Sequence, residues 1–515
     1  MTKHHRRSWM PKHVQARVLS ILVACIAHAT MASAQNDAPP DSAYTYSKYA
    51  LRTSAFNGAT AKHRQALVSG LEWLANYQDE DGRWDCFGFH KHDKEGPKSF
   101  GECKSTHDVG VTGLAALAML ASHSVGNAGR NMEEISKAAR WLQKQQMANG
   151  LIGTAEAHDF IYDHAIATLA IVEVYGLTRE IRLKDTAQRA IDYLESHRNP
   201  NSLWRYQPRR NDNDTSVTCW CATACIAATD FGLNVNPRSL RLVAEFLDMV
   251  ADPSGNHGYT KQGRPSSRYR SANYKRRKLT FPTAKGAALP AMALQTRFLL
   301  GQTRTNTPIM GAAADLIMSR PPSWDVPGGG IDLGYWYHAS HAMFQVGGPQ
   351  WRKWQRSVHA ALLPNQRKDG NFAGSWDPVS VRAHHGGRVY TTAMALLTLQ
   401  AEYRYGSIEK LTILPDDKLF TRANASWIKR QYGKFAQCLK IARNDKMITV
   451  EQRQAIEKAE SSLASLVAAA TTELEGFDVP LVSVTQRSRA AQISKMFRSL
   501  PVGKLARKLL KQKHP

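Results

Sequence analysis

The sequence predicts an all-α chain whose body is a closed ring of six helical hairpins followed by a C-terminal helical appendage. Three observations carry that expectation. Amphipathic stripes alternate with stretches that are apolar on every side. The apolar stretches recur every ~50 to 70 residues, the spacing of a supersecondary repeat. Most amphipathic members end in a corner of similar chemistry, of which Gln78 to Trp84, Q-D-E-D-G-R-W, is the first. A helix apolar all round has to be buried, and an amphipathic one has one face with which to cover it. The apolar set therefore belongs inside and the amphipathic set outside. A closed ring leaves no end of the array exposed, whereas the inner helices of an open superhelix would face solvent and be more polar.

Leu67, Leu71 and Leu74, with Ala66 and Gly70 between them, form the apolar stripe of the first outer helix. Asp81-Gly82 is expected to end it, because Gly accepts the left-handed conformation of a helix C-terminus. Trp84 then folds back, and the Gln78 amide can satisfy backbone groups freed at the helix end. The inner helix Asp108 to Ser122 follows. The same outer-inner alternation is read at 135–146 and 162–175, 187–197 and 215–229, 240–250 and 284–300, 309–318 and 335–345, and 351–366 and 390–403. Closing segments are Asn149-Gly150, Trp204-Arg205-Tyr206, Gly255 with Gly258-Tyr259, Pro321-Pro322, and Q-R-K-D-G-N-F from Gln366.

With 515 residues, 43% hydrophobic, the chain can bury a large core. Residues 1–34 read as an export signal: basic through Arg17, apolar from Val18 to Ala29, then Ala32-Ser33-Ala34 as a cleavage site. The mature chain is expected to start at Gln35 and to be periplasmic, secreted or envelope-associated; lipidation at Cys25 is the alternative. Residues 35–60 read as a linker, 61–406 as the ring, and 407–515 as the appendage with its basic tail. No stretch after residue 34 has the ~20 consecutive apolar residues of a spanning helix, so no transmembrane segment is expected in the mature chain.

Lys and Arg number 68 against 43 Asp and Glu, a formal charge of +25. Seven of the basic residues lie between Arg264 and Lys278 with no acid among them, and 487–513 is also free of acids. An anionic envelope surface met through this loop and tail is the expected macromolecular partner; no nucleic-acid partner is expected. In an oxidising compartment Cys86 and Cys103 are candidates for pairing, while Cys219, Cys221 and Cys225 on an apolar helix read as small buried side chains.

Q-D-E-D-G-R-W and Q-R-K-D-G-N-F resemble the Q-W repeats of squalene-hopene cyclases and the prenyltransferase β-subunit superfamily, whose fold is an α/α toroid. Y-D-H-A-I-A-T-L-A from Tyr162, D-T-S-V-T-C-W from Asp214 and G-G-R-V-Y-T-T-A from Gly386 resemble exported bacterial prenyltransferase and squalene oxidase repeat proteins. The likeness covers roughly residues 60 to 406. It implies the fold more than the chemistry, because one fold hosts many functions. Class II cyclases of this superfamily use D-x-D-D-T-A, whose middle Asp protonates an alkene or epoxide. Here the stretch is Asn211-Asp212-Asn213-Asp214-Thr215-Ser216, with Asn213 at the acid position. The superfamily's zinc ligands lack a counterpart too: Tyr337-His338 resembles the His position, but the inner helix before it has no D-x-C pair.

If all inner helices run parallel, their dipole-positive N-termini converge on one mouth. Asp108, Asp159, Asp163, His164, Asp212, Asp214, His338, His341, His384, His385, Arg388 and Tyr390 are placed there. Asp212 and Asp214 with His338 and His341 are the expected acid-base groups. Asp163, His164, Trp336, His384, His385, Arg388 and Tyr390 are the expected ligand-binding set, with no metal and no cofactor. The bland alternatives are N-caps for the Asp residues and hydrogen-bonded core side chains for the histidines. The expected ligand is a hydrophobic isoprenoid in the ring's central cavity. A non-catalytic binding or scaffolding module and a carbohydrate-active toroid are the alternatives, the last requiring facing carboxylates in an open polar cleft.

Overall fold

A computed structural model describes residues 48–49, 59–103, 107–122, 131–178, 180–208, 212–264 and 281–408. The export signal, most of the linker, nearly all of the basic loop, Asn211 and all of the appendage beyond residue 408 lie outside the described residues. Among those described, twelve helices of ten or more residues alternate between two layers. The outer layer is α1 (Ala61–Asn76), α3 (Met132–Lys144), α5 (Lys184–His197), α7 (Pro237–Val250), α9 (Ile309–Met318) and α11 (Gly348–Leu362). The inner layer is α2 (Asp108–Ser122), α4 (Phe160–Thr178), α6 (Thr215–Asp230), α8 (Ala288–Leu299), α10 (Leu333–Val346) and α12 (Ala383–Leu399). A short α13 (Ala401–Arg404) follows.

Each inner helix packs on the next in chain order, and α12 packs back on α2, so the ring is closed. Outer helix α3 packs between α2 and α4; α1, α5, α9 and α11 likewise bridge neighbouring inner helices, and α7 packs on α6. In α6 every residue from Thr215 to Ala228 is buried, as an all-round apolar sequence requires. α4 is long and apolar enough to cross a membrane by length and composition, and most of it is buried inside the protein.

The corners fix the register between outer helices. Trp84, Trp204 and Trp376 donate their indole N–H to the Leu74, Leu194 and Leu362 carbonyls at the end of their own outer helix. Gln78, Gln146 and Gln366 each bridge two carbonyls, one in their own corner and one in the next outer helix: Glu134, Thr186 and Ala66. The last of these ties the sixth corner to α1 and closes the outer layer on itself. Glycine is required at these corners by close approach. A Cβ on Gly82 or Gly374 would lie 2.2 Å from the carbonyl oxygen of Lys137 or Ser69, and both residues hold positive φ (+101° and +99°). Gly82 does not end α1, however, since the helix stops at Asn76 and Gly82 sits in the loop beyond it. The fifth hairpin departs from the pattern. Tyr335 reaches out from α10 to the Ile317 and Arg320 carbonyls at the end of α9.

The inner helices run parallel, because N-terminal residues meet N-terminal residues and C-terminal ones meet C-terminal ones. At one end His107 meets Asp163, and Tyr162 meets Ser216. At the other end Gln400 donates to the Ala118 carbonyl, and Arg404 pairs with Glu173 at 2.8 Å. That second end is plugged. Tyr49 and Tyr405 both donate to the Glu173 carboxylate, Gln345 holds the backbone of Gly406 and Ile408, and Lys48 pairs with Asp230. Cys86 and Cys103 form a disulfide with Cα atoms 5.4 Å apart, in the loop that leads to α2.

Candidate functional site at the N-terminal mouth of the ring

Asp214 is the N-cap of α6, and its fully buried carboxylate is the centre of a hydroxyl network. Oδ1 accepts from the Val217 N–H and the Ser216 hydroxyl, each at 2.8 Å. Tyr259 donates to Oδ2 at 3.0 Å. Tyr162 on α4 lies 2.6 Å from the Ser216 hydroxyl, and Tyr206 lies 3.1 Å from the Tyr259 hydroxyl. Two relays thus lead from partly exposed tyrosines to one buried carboxyl: Tyr162 through Ser216, and Tyr206 through Tyr259. Burial raises the Asp214 pKa, against the lowering effect of these donors and of Arg205. The network is assembled from separate parts of the chain. Thr215 holds the Gly258-Tyr259 loop by its N–H and hydroxyl, and the Tyr206 and Tyr162 rings meet at 5.9 Å.

Arg382, at the N-cap of α12, is the cation of this basin. Burial opposes its charge, but Tyr162, Asp332, Tyr390 and Tyr206 around it raise its pKa. Asp332 caps α10 by accepting from the Tyr335 N–H. His338 lies deeper and hydrogen-bonds Gln295 at 2.5 Å, and its ring meets Trp220 and Tyr337. Burial and Arg382 lower its pKa to about 3.

The expected site residues separate into distinct environments. Tyr390 lies with Arg382 at the partly exposed side of the network, and Asp214 is buried beneath its relays. Asp212 stands at the rim, half-exposed and ion-paired with Arg205. Asp163 and His385 join a neighbouring cluster with His107 and Asp159, and the His384 ring meets His385 at a tilt, with ring centroids 3.9 Å apart. His338 and His341 are not at the mouth. With α10 starting at Leu333, they lie about 8 Å and 12 Å along the helix at 1.5 Å per residue. His341 is sealed between Tyr337 and Tyr405.

Three expected ligand-binding residues belong to the wall. His164 accepts the Ile152 N–H on Nδ1 and faces the Ala190 carbonyl with Nε2, so both nitrogens are engaged by backbone. Arg388 is committed to the Phe100 carbonyl, Ser375 and Asp377, and ties the disulfide loop to α12. Trp336 is buried against Trp324. His384 and His385 fall in the first turn of α12 rather than in a loop, ahead of a kink at Gly387.

Asn213 does not face the basin. Its amide donates to Ser202 and accepts from Leu203 N–H and Asn199, which locks the third corner. Cys219, Cys221 and Cys225 are buried, and burial pushes the Cys219 thiol up to about 12, which keeps it protonated. Arg382, Tyr206, Tyr259 and His107 are the residues that sequence reasoning missed. Tyr206 and Tyr259 stand in recognised closing segments, and His107 immediately precedes an inner helix; those positions were the available signal.

No family model matches the chain, and no curated protein matches it in sequence. Solved structures similar to it include an alpha-1,6-mannanase from a Salegentibacter species, at 12% identity and a TM-score of 0.46 over 66% of this chain and 98% of that one. Another is the type II terpene cyclase MstE from Scytonema, at 15% identity and a TM-score of 0.41 over 66% and 98%. A third is an alpha-amylase from Clostridium perfringens, at 11% identity and a TM-score of 0.43 over 65% and 97%.

Proposed function

We propose that this chain is an exported toroid that binds a hydroxyl-rich, saccharide-type ligand at the open mouth of its ring and acts on it by acid-base chemistry. The observation that carries this reading is the pair of hydroxyl relays that end on the Asp214 carboxyl, with Arg382 close to their outer tyrosines Tyr162 and Tyr206. Tyrosine rings offer flat faces to a sugar ring, and their hydroxyls exchange hydrogen bonds with its hydroxyls. Asp214, with its pKa raised by burial, holds a proton to higher pH than an exposed carboxyl does and is in this role the group that takes up or delivers it. In this role Ser216 and Tyr259 carry the proton between Asp214 and the basin, and Arg382 stabilises negative charge that develops on the ligand.

An isoprenoid needs a long apolar tunnel. Beneath the basin the ring centre holds Tyr337, His341, Arg404 and Glu173, each no more than 1% exposed. That packing favours a ligand held at the mouth over one threaded through the ring. The excess of Lys and Arg in the sequence 264–278 supports an anionic surface as a further partner.

The test is ligand-induced stabilisation of the mature protein by a panel of soluble neutral and acidic polysaccharides, compared with geranylgeranyl and squalene-type lipids in detergent. A saccharide is expected to raise the unfolding midpoint, and Tyr259→Phe and Arg382→Gln are expected to remove that effect. Stabilisation by the lipids alone would return the assignment to an isoprenoid toroid.

A further inference from the structure

We propose a divalent transition-metal site, of the kind that takes Zn2+, formed by His107, Asp159 and His385 at the edge of the mouth. One nitrogen or oxygen from each residue lies within 4.8 Å of the others, and Asp159 Oδ2 is 3.9 Å from His385 Nδ1. Two imidazoles and a carboxylate are a set that zinc accepts, with a fourth position left for water or a ligand oxygen. In a tetrahedral site, donors about 2.0–2.1 Å from the ion stand about 3.3 Å from one another. Closing from the observed separations takes a rotamer adjustment of about an ångström. Asp159 and His385 have the freedom for it, since their side chains are 32% and 41% exposed.

His107 is the fixed anchor. Its Nδ1 is held 3.0 Å from Asp163 Oδ2, which orients the ring and assigns Nε2 to the ion. A carboxylate behind a ligating histidine is the usual outer support of a metal site, because it fixes the tautomer and raises the basicity of the ligand nitrogen. The fold makes room for that carboxylate at one position. A Cβ on Gly110 would stand 2.1 Å from Asp163 Oδ1, so only glycine on that turn of α2 admits it.

The three ligands come from the N-terminal ends of α12, α2 and α4, which are consecutive around the ring where its first and last hairpins meet. The kink at Gly387, with φ +62°, follows directly after the His385 turn. The imidazoles of His107 and His385 meet edge to face with centroids 5.4 Å apart. This site stands apart from the Asp214 network and does not depend on the saccharide reading.

The experiment is a titration of tag-free, chelator-stripped mature protein with Zn2+ alone, and separately with Co2+, followed by calorimetry and by the visible spectrum of Co2+. One equivalent is expected to bind, with the absorption of a four- or five-coordinate Co2+ ion. His385→Ala and Asp159→Asn are expected to lose stoichiometric binding, and Asp163→Asn to weaken it roughly 10- to 100-fold by removing the support of His107. His92→Ala, in the separate surface cluster around Asp79, is expected to bind as wild type does. Metal-free unfolding midpoints establish that each variant is folded, and His385→Gln replaces the alanine variant if that one is not. Absence of stoichiometric binding by folded wild type, or undiminished affinity in folded His385 variants, overturns the site.

Discussion

The two ends of the ring are built from the same residue types and differ in what those residues have left to do. At the plugged end Glu173 receives Arg404, Tyr405 and Tyr49, and both Arg404 and Glu173 are 1% exposed. At the mouth Asp214 likewise receives tyrosine and serine hydroxyls, but Tyr162 and Tyr206 at the outer ends of its relays, and Arg382 near those tyrosines, stay partly exposed. A carboxylate, an arginine and tyrosines closed on one another form a structural lock. The same groups open to solvent form a place for a ligand. Four expectations test that contrast, from the largest effect to the smallest.

The buried histidines of the wall and centre should dominate acid sensitivity. His164 and His338 have pKa values held at about 3 by burial, against an unfolded value of about 6.5. A lowered pKa means that the native state binds fewer protons than the unfolded chain. Their contribution is complete above pH 6.5 and is lost as pH falls toward 3, at roughly 1.4 kcal/mol per histidine per pH unit. Urea unfolding at pH 7 and pH 5 should therefore differ by several kcal/mol, and His338→Gln should reduce the difference. Opening the lock by Arg404→Met strands a buried carboxylate and should cost about 3–5 kcal/mol in the same assay.

Removing the disulfide, whose cysteines are 17 residues apart, by Cys86→Ser should cost about 3 kcal/mol. Asp214→Asn should change stability by less than about 1 kcal/mol, because Asn caps helices as well as Asp does. Its effect should fall on function instead. A loss of several kcal/mol in Asp214→Asn would place the mouth network with the plug, as structure alone.

The ring is legible in the sequence because burial writes itself into periodicity. Five of the six inner helices of the α/α ring appear within about four residues of their expected bounds, α12 starts seven residues before the expected Tyr390, and the corner tryptophans fold back as expected. Depth and facing are not legible in the same way. Asp332 caps α10, whose first residue Leu333 is two before the expected start at Tyr335, which puts His338 and His341 below the mouth. The Gly386-Gly387 pair reads as a loop, whereas α12 begins at Ala383 and kinks, and Arg388 beyond the kink turns to the disulfide loop. Arg382 and Tyr259 gain meaning only once ring closure brings their loops beside α4 and α6, a long-range consequence that no local pattern carries. Asn213 is the instructive case. The resemblance made it a lost catalytic acid, while its amide locks the third corner and the buried carboxyl is its neighbour Asp214.

The most direct measurement of the central claim is the release of reducing ends from the polysaccharide panel by wild type and by Asp214→Asn, with both proteins matched for unfolding midpoint. The account predicts release from at least one polysaccharide by wild type, and a fall of about 100-fold or more in the variant, the scale of a lost general acid or base. Equal release by the two proteins, or none by wild type across the panel, would contradict it.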